Sequence, residues 1–368
     1  MGPGIARATV VALVTCSAAC GGAVIADGAA YDGGKAADSH IPPLQDASPE
    51  APRDARDSGT GVEDASIDGC SSTGSVTLAS GLTLPFLLAV GASEVVWADQ
   101  PEMDGGGEPA VLEVGKDGGT VETLASGGTT GLTLDSAHIY WSTGASSTTD
   151  GSIDRALLDG GEPTSLATGL AFNDNLLVYG EDLYWSTGAT APYSILRVST
   201  GGGMVETLAS LAEFLPSLVA TNSTLYWTDE DGSIWSMSVD GGPVSSFYSV
   251  PEGKGISGAT ALATDGINMY WTQFTPGAIL KLSLAEPGES PSVLSGGDFF
   301  TSIATDGKSV YYANFDEATG CTYLEKVPVG GGAATTIAAD EDIECLTLDA
   351  TRAYWTNREG GAVMATPK

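Results

Sequence analysis

One aromatic phrase returns seven times along this chain: Val96-Trp97, Tyr140-Trp141, Tyr184-Trp185, Tyr226-Trp227, Tyr270-Trp271, Tyr311-Tyr312 and Tyr354-Trp355. Its second residues lie 44, 44, 42, 44, 41 and 43 positions apart. A period this constant marks a repeat architecture, in which each unit is too small to bury its own apolar face and is stabilised by its neighbours. After Tyr226-Trp227, the residues Ile234, Ser236 and Ser238 alternate with Trp235, Met237 and Val239, the two-residue period of a strand. Helical spacing is absent from the repeat.

A tight-turn signal follows in Asp117-Gly118-Gly119, Asp159-Gly160-Gly161 and Asp240-Gly241-Gly242, with Gly201-Gly202-Gly203 and Gly330-Gly331-Gly332 as variants. Glycine tolerates the positive φ that two-residue hairpins demand, so each signal reads as a hairpin between a third and a fourth strand. Residues 120–125 and 204–209 read as fourth strands, and 131–135, 261–265, 302–306 and 345–349 as first strands ahead of the aromatic phrase. Four strands in about 40 to 45 residues match one β-propeller blade.

The two ends of the chain complete each other. Residues 74–81 resemble the fourth strand at 119–127 but have no three strands before them, and residues 362–366 resemble a third strand with no fourth after it. The expected fold is therefore all-β, a seven-bladed β-propeller of four-stranded antiparallel blades. An N-terminal outer strand joins the C-terminal blade and leaves no open blade at the seam.

Residues 225–241 resemble the YWTD blade of low-density-lipoprotein-receptor class B repeats, through Tyr226-Trp227-Thr228-Asp229, the isoleucine strand and the Asp-Gly turn. The resemblance spans residues 71–368 and extends to the bacterial YWTD/TolB-like propellers. Elsewhere the phrase departs from the motif, as in Trp97-Ala98-Asp99, Trp185-Ser186-Thr187 and Tyr312-Ala313-Asn314. Receptor propellers of that family have six blades, so the resemblance implies six as the alternative to the seven counted here, and a propeller fold by itself implies no function.

Ahead of the repeats, residues 1–20 read as a secretory signal: Arg7, a short apolar stretch at 8–14, then Ser17-Ala18-Ala19-Cys20. The small-small-cysteine ending resembles a bacterial lipobox, which implies cleavage before Cys20 and acylation of its thiol; simple secretion is the alternative. Residues 21–70 are rich in Asp, Ala, Gly and Pro without apolar periodicity. That composition is expected to form a disordered tether, with a reach on the order of 40 Å. The propeller domain then runs from 71 to 368.

Outside the signal stand Cys70, Cys321 and Cys345. Blade topology puts Cys321 on a loop between second and third strands and Cys345 at the start of the next blade's first strand, on the same face of the ring. A Cys321–Cys345 disulfide between adjacent blades is the expected pairing in an oxidising compartment, with Cys70 left over as a competitor.

The chain holds 47 acidic against 14 basic residues, for a net charge of -33. Such a surface repels phosphate backbones and anionic lipid, which excludes nucleic acid as a partner and leaves membrane attachment to a lipid anchor. Carboxylates concentrate at Asp99, Glu102 and Asp104 and at Asp340, Glu341, Asp342 and Glu344, but neither group has calcium-loop spacing. No metal ligands and no cofactor are assigned, and calcium enters only with the enzymatic alternative.

Catalytic material is thin. His40 and His138 are the two histidines, no nucleophile-elbow pattern occurs, and the glycine runs join strand to strand where a phosphate loop needs a following helix. The residues that the repeat does not require cluster on the face made by loops entering first strands and joining second to third strands: Phe86, Phe172, Asn173, Asp174, Phe214, Asp298, Phe299, Phe300 and Asp342. They form the candidate binding rim, against the alternative that the phenylalanines plug the tapering channel. The expectation is a monomeric, exported cell-envelope scaffold or binding protein, non-enzymatic, taking a protein, peptide or glycan. The alternatives are a calcium-dependent lactonase-like hydrolase or lyase, and an envelope structural protein.

Overall fold

The computed structural model describes residues 70, 74–100, 108–144, 150–158, 160–171, 173–187, 191–251, 259–274, 276–297 and 299–368. The expected signal, lipid attachment at Cys20 and tether lie outside the described residues, as do Phe172 and Asp298. Everything described is strand, turn or loop.

The first strand, β1 (Val76–Ser80), belongs to the last blade. Blade 1 is β2 (Pro85–Val90), β3 (Glu94–Asp99), β4 (Ala110–Gly115) and β5 (Glu122–Ser126), and blade 2 is β6 (Gly131–Leu134), β7 (His138–Ser142), β8 (Gly151–Leu157) and β9 (Thr164–Leu170). Blade 3 comprises β10 (Asn173–Tyr179), β11 (Asp182–Thr187), β12 (Tyr193–Ser199) and β13 (Glu206–Leu211); blade 4 comprises β14 (Leu218–Thr221), β15 (Thr224–Thr228), β16 (Ile234–Ser238) and β17 (Ser245–Tyr248). Blade 5 holds β18 (Ala259–Thr264), β19 (Asn268–Gln273), β20 (Ala278–Ser283) and β21 (Ser292–Gly296), and blade 6 holds β22 (Phe299–Thr305), β23 (Ser309–Asp316), β24 (Cys321–Pro328) and β25 (Thr335–Asp340). Blade 7 is β26 (Leu346–Leu348), β27 (Arg352–Asn357), β28 (Ala362–Pro367) and, outermost, β1.

The ring is thus a seven-bladed propeller of antiparallel four-stranded sheets. Its closure is the expected one: Val76 pairs with Ala365 and Ser80 with Ala362, with a bulge between Thr77 and Ala79. The seven phrases, and not the six blades of the receptor propellers, set the count.

Packing explains why each phrase pairs two large apolar residues, aromatic in both places in every phrase but Val96-Trp97. Successive side chains of a strand point to opposite faces of the sheet, so the first residue of the pair faces one neighbouring blade and the second the other. Tyr184 packs with Leu218, Leu225 and Trp227 of blade 4, while Trp185 packs with Tyr140 and Ile153 of blade 2. The pattern continues around the ring as Tyr226 with Trp271, Tyr270 with Tyr312, and Tyr311 with Trp355. Tyr354 with Trp97 closes it across the seam. Seven apolar clusters fill the seven blade junctions, and Trp97, Trp185 and Trp355 are wholly buried. The phrase is blade-to-blade packing.

The cysteine pairing differs from the expectation. Cys321 bonds Cys70, not Cys345. Cys345, itself disulfide-bonded, lies in the core between blades 7 and 1, beside Leu88, Trp97 and Val363. Sequence alone placed Cys321 and Cys345 on one face but could not place Cys70. The chain entering β1 passes the loop-side end of blade 6, and there Cys70 meets Cys321 at the first residue of β24, with Cα atoms 5.4 Å apart.

Candidate functional site

Antiparallel blades place all connections of one kind on one face. Turns joining first to second and third to fourth strands form one side of the ring; connections joining second to third strands, and blade to blade, form the other.

The first side is uniform. In the third-to-fourth turns the glycine pairs adopt one conformation, such as φ 84° then 127° at Gly241 and Gly242 and φ 85° then 134° at Gly331 and Gly332. A residue with a Cβ is strained at both positions, which accounts for the recurring pair. In the first-to-second turns an aspartate takes two backbone N–H groups and the tyrosine hydroxyl. Asp265 accepts from Ile267 and Asn268 and from Tyr270 Oη at 2.7 Å, and Asp135, Asp306 and Asp349 repeat the arrangement.

The scarce cations are also spent here, across blade junctions. Arg197 donates to Val239 O, Lys281 to Val329 O, Arg155 to Thr200 O and Arg352 to Lys116 O. Lys368, the last residue, pairs with Asp306 of blade 6 at 2.9 Å. This face is structural.

The opposite face keeps the repeat only at its base. The hydroxyl residue after the second aromatic satisfies the inner strand: Thr272 Oγ1 accepts from Ala261 N, and Thr356 Oγ1 from Cys345 N. The acidic or amide residue after it fixes a loop. Asp229 accepts from Ser233 N at 2.9 Å and Trp235 Nε1 at 2.7 Å, Asp99 accepts from Leu84 N at 2.8 Å, and Asn357 accepts from Gly360 N. Thr-Asp in this motif is loop anchoring.

Above that base the blades diverge, and most of the expected rim residues sit here. Phe299, at the start of the inner strand of blade 6, stacks edge-on against Phe274 from the loop of blade 5, ring centres 4.5 Å apart. Phe214, on the loop entering blade 4, stacks against Tyr193 at 5.8 Å. Asp174 lies in β10 opposite Ser186, with its carboxylate accepting from Asn175 N, and Asn173 begins that strand opposite Thr187. Phe86 is half-buried in β2 against the core between blades 1 and 2.

Phe300 does not belong to the rim. It is 3% exposed, in the core between blades 5 and 6, where it stacks on Tyr312. Two adjacent residues of one strand face opposite ways, so Phe299 and Phe300 could not both reach the mouth.

Two acidic centres stand beside the aromatic pairs. Thr301 Oγ1 donates to Ile343 O at 2.8 Å, so the Phe274–Phe299 stack, between blades 5 and 6, and the loop 341–345, between blades 6 and 7, flank the inner strand of blade 6. On that loop, burial and then the Glu359 charge push the Asp342 carboxyl up to about 6, although the backbone N–H groups of Arg358 and Glu359 bond it. Burial and then Asp342 push Glu344 up to about 7. Asp340, whose carboxylate holds Trp355 Nε1 at 2.8 Å and Asn357 Nδ2 at 2.6 Å, is raised by burial despite those donors.

The second centre adjoins Phe214. Burial and then the charges of Asp229, Asp231 and Glu230 raise the Glu213 carboxyl. Glu344 stood in the sequence only as part of a carboxylate cluster, and Glu213, Tyr193, Phe274 and Arg358 were not singled out. The doublet Glu213-Phe214 carried the same acid-beside-aromatic signal as Asp298-Phe299 and was the one trace available. Among the described residues, Arg358 is the basic side chain this face retains, and no group of three or more His, Cys, Asp or Glu is arranged to hold a metal ion.

No family model matches the chain, and no curated protein matches it. Solved structures do. The chain is similar to a catalytically inactive virginiamycin B lyase from Staphylococcus aureus with quinupristin, at 13% identity and a TM-score of 0.59, covering 80% of this chain and 98% of that one. It is similar to the computationally designed Ika8 protein at 15% identity and a TM-score of 0.52, covering 79% and 98%. A chain of a nidogen/laminin complex matches at 20% identity over 54% of this chain and 76% of that one, with a TM-score of 0.43. At these identities the first two likenesses concern the fold alone.

Proposed function

We propose that the protein is a non-enzymatic binding or scaffold propeller, of the YWTD/TolB-like type, that presents its loop face to a protein, peptide or glycan. The observation that carries this reading is the asymmetry of the two faces. One is made of repeated turns with most of its described cations committed to blade junctions; the other carries irregular loops, the half-buried pairs Phe274–Phe299 and Tyr193–Phe214, and carboxylates with Arg358 as the described counter-charge. Aromatic anchors ringed by charge are what interfaces use for affinity and for choice of partner. The acidic rim favours a partner with basic side chains.

The test is binding of the full chain to arrays of basic peptides and of glycans. A loop-face variant (Phe214→Ala, Phe299→Ala, Asp342→Asn, Glu344→Gln) should lose binding with its fold intact. A turn-face variant (Ile267→Ser, Lys308→Ser) should keep it. Binding that followed the turn-face variant would overturn the assignment.

The second reading is a propeller enzyme of the lactonase, hydrolase or lyase kind. It is favoured by the Asp342–Glu344 pair, whose raised carboxyls suit proton transfer near neutral pH. The described residues offer no metal-binding group, so no step is routed through calcium. Turnover of lactone substrates by the full chain, lost in Glu344→Gln, would favour this reading over the first.

Export, acylation of Cys20 and a tether from 21 to 70 complete the proposal and place the propeller at the cell envelope as a monomer. Intact-mass measurement on membrane-fraction protein tests the anchor, and an unacylated soluble product would remove it.

A further inference from the structure

The seventh blade is the one blade not made from consecutive strands, and its outer strand lacks the turn that ties every other outer strand to the third strand of its blade. β1 pairs on one side only, with β28, through four partners interrupted by a bulge. Of its five residues, Leu78 and Ala79 are buried while Val76 is 53% exposed. On its C-terminal side the strand continues directly into blade 1, with Leu82 N bonded to Gly361 O. On its N-terminal side it is held by the Cys70–Cys321 disulfide.

That bond does not fasten β1 to its own blade. Cys321 opens β24 of blade 6, a blade closed by four consecutive strands and independent of the chain ends. The chain is therefore covalently tied to a finished neighbour six residues before Val76, which limits how far β1 can move from β28 while the bond stands. Without the bond, a short, bulged, one-sided strand must bear its own ordering entropy.

We propose that Cys70–Cys321 is a redox gate on ring closure: oxidised, it holds β1 in the seventh blade, and reduced, it releases β1 and leaves β28 as an open edge. The reductant is a dithiol. One of its thiolates attacks a sulfur of the bond to form a mixed disulfide, and its second thiolate resolves that intermediate by displacing the protein thiolate. The dithiol ends as a disulfide, and Cys70 and Cys321, having taken up two electrons and two protons, end as thiols. Cys70 and Cys321 are 2% and 5% exposed, so attack requires the bond to become exposed first. An oxidising compartment keeps the ring shut; a reducing one holds the same chain with an unpaired sheet edge.

The experiment is amide hydrogen exchange on the full chain, comparing the oxidised wild type with C70S/C321S, which removes the bond without leaving a thiol. In the double variant, exchange across 76–80 and 362–365 is expected to quicken at least tenfold relative to that across 182–199 and 224–238 in blades 3 and 4. Unchanged protection of 76–80 would overturn the gate. A uniform rise over all blades would also overturn it, because the bond would then support the whole fold and not one strand. Should the double variant fail to fold, the same measurement on folded wild type treated with a dithiol decides, with peptide mass mapping showing Cys70 and Cys321 reduced and Cys345, which is also disulfide-bonded, still oxidised.

Discussion

The Lys116 ammonium of blade 1 lies 2.9 Å from the Asp349 carboxylate of blade 7, where Tyr354 Oη also donates at 2.8 Å. The pair bridges the seam between the first and last blades and is about four-fifths buried on both sides. Burial alone would raise Asp349, but Lys116, the N–H groups of Thr351 and Arg352, and Tyr354 outweigh it and hold the carboxyl well below the usual range. Lys116→Met should cost about 1 to 2 kcal/mol in denaturant unfolding, as expected for a charge-assisted bond at a partly buried site. A double cycle with Asp349→Asn should show the two losses to be non-additive.

Acid should loosen the ring at the same places. Asp306, buried but held down to about 2 by Lys368 and the N–H groups of Ser309 and Lys308, behaves like Asp349. A carboxyl depressed in the folded state contributes stability that is present above its unfolded value, about 3.9, and is lost as pH falls through its folded value. Stability measured from pH 5 to pH 2 should fall less steeply in Asp306→Asn and Asp349→Asn than in the wild type.

Blade 1 carries the opposite case. Glu113 faces Glu122 across the sheet, and burial, then Glu122 and Glu94, raise its carboxyl. Like charges directly opposite destabilise a sheet by roughly 0.2 to 1 kcal/mol. Glu113→Gln should therefore raise the unfolding midpoint at pH 7, and the gain should vanish as the pH drops and Glu113 itself takes up a proton.

The loop face should titrate within the physiological range. With Asp342 at about 6 and Glu344 at about 7, carboxyl NMR should show both midpoints well above those of ordinary acids. Because the folded values are raised, this pair favours the fold at pH 5 over pH 8, and Glu344→Gln should flatten that slope. A basic ligand should bind more tightly at pH 8 than at pH 5.5, since both carboxylates are charged only at the higher pH.

Asp340→Ala should leave the Trp355 indole N–H and the Asn357 amide without their acceptor, the indole being wholly buried. The cost should be about 1 to 3 kcal/mol, read from chemical unfolding.

The fold was legible in the sequence because each blade repeats the same packing problem. Val96-Trp97 through Tyr354-Trp355 each face two neighbours, and Asp-Gly-Gly answers one turn geometry, so the period survives divergence elsewhere. Closure by residues 76–80 was legible from leftover strands. The rim was read only in part. Phe214 and Phe299 lie on the loop face, but telling Phe299 from Phe300 needed the strand phase, and finding Tyr193 and Phe274 needed contacts between segments some 20 residues apart in sequence. Cys70 carried no periodic signal, so its bond to Cys321 depended on a chain path that only the folded ring defines.

The offset of β1 by one strand has a consequence for where the ring is joined. Read from its first strand, the chain runs in groups of an outer strand and the next three, whereas each sheet is cut one strand later. The seam of the ring therefore falls inside a sheet and not between two sheets, so the β1–β28 ladder of the seventh blade joins the first and last strands of the ring by backbone hydrogen bonds as well as by side-chain packing.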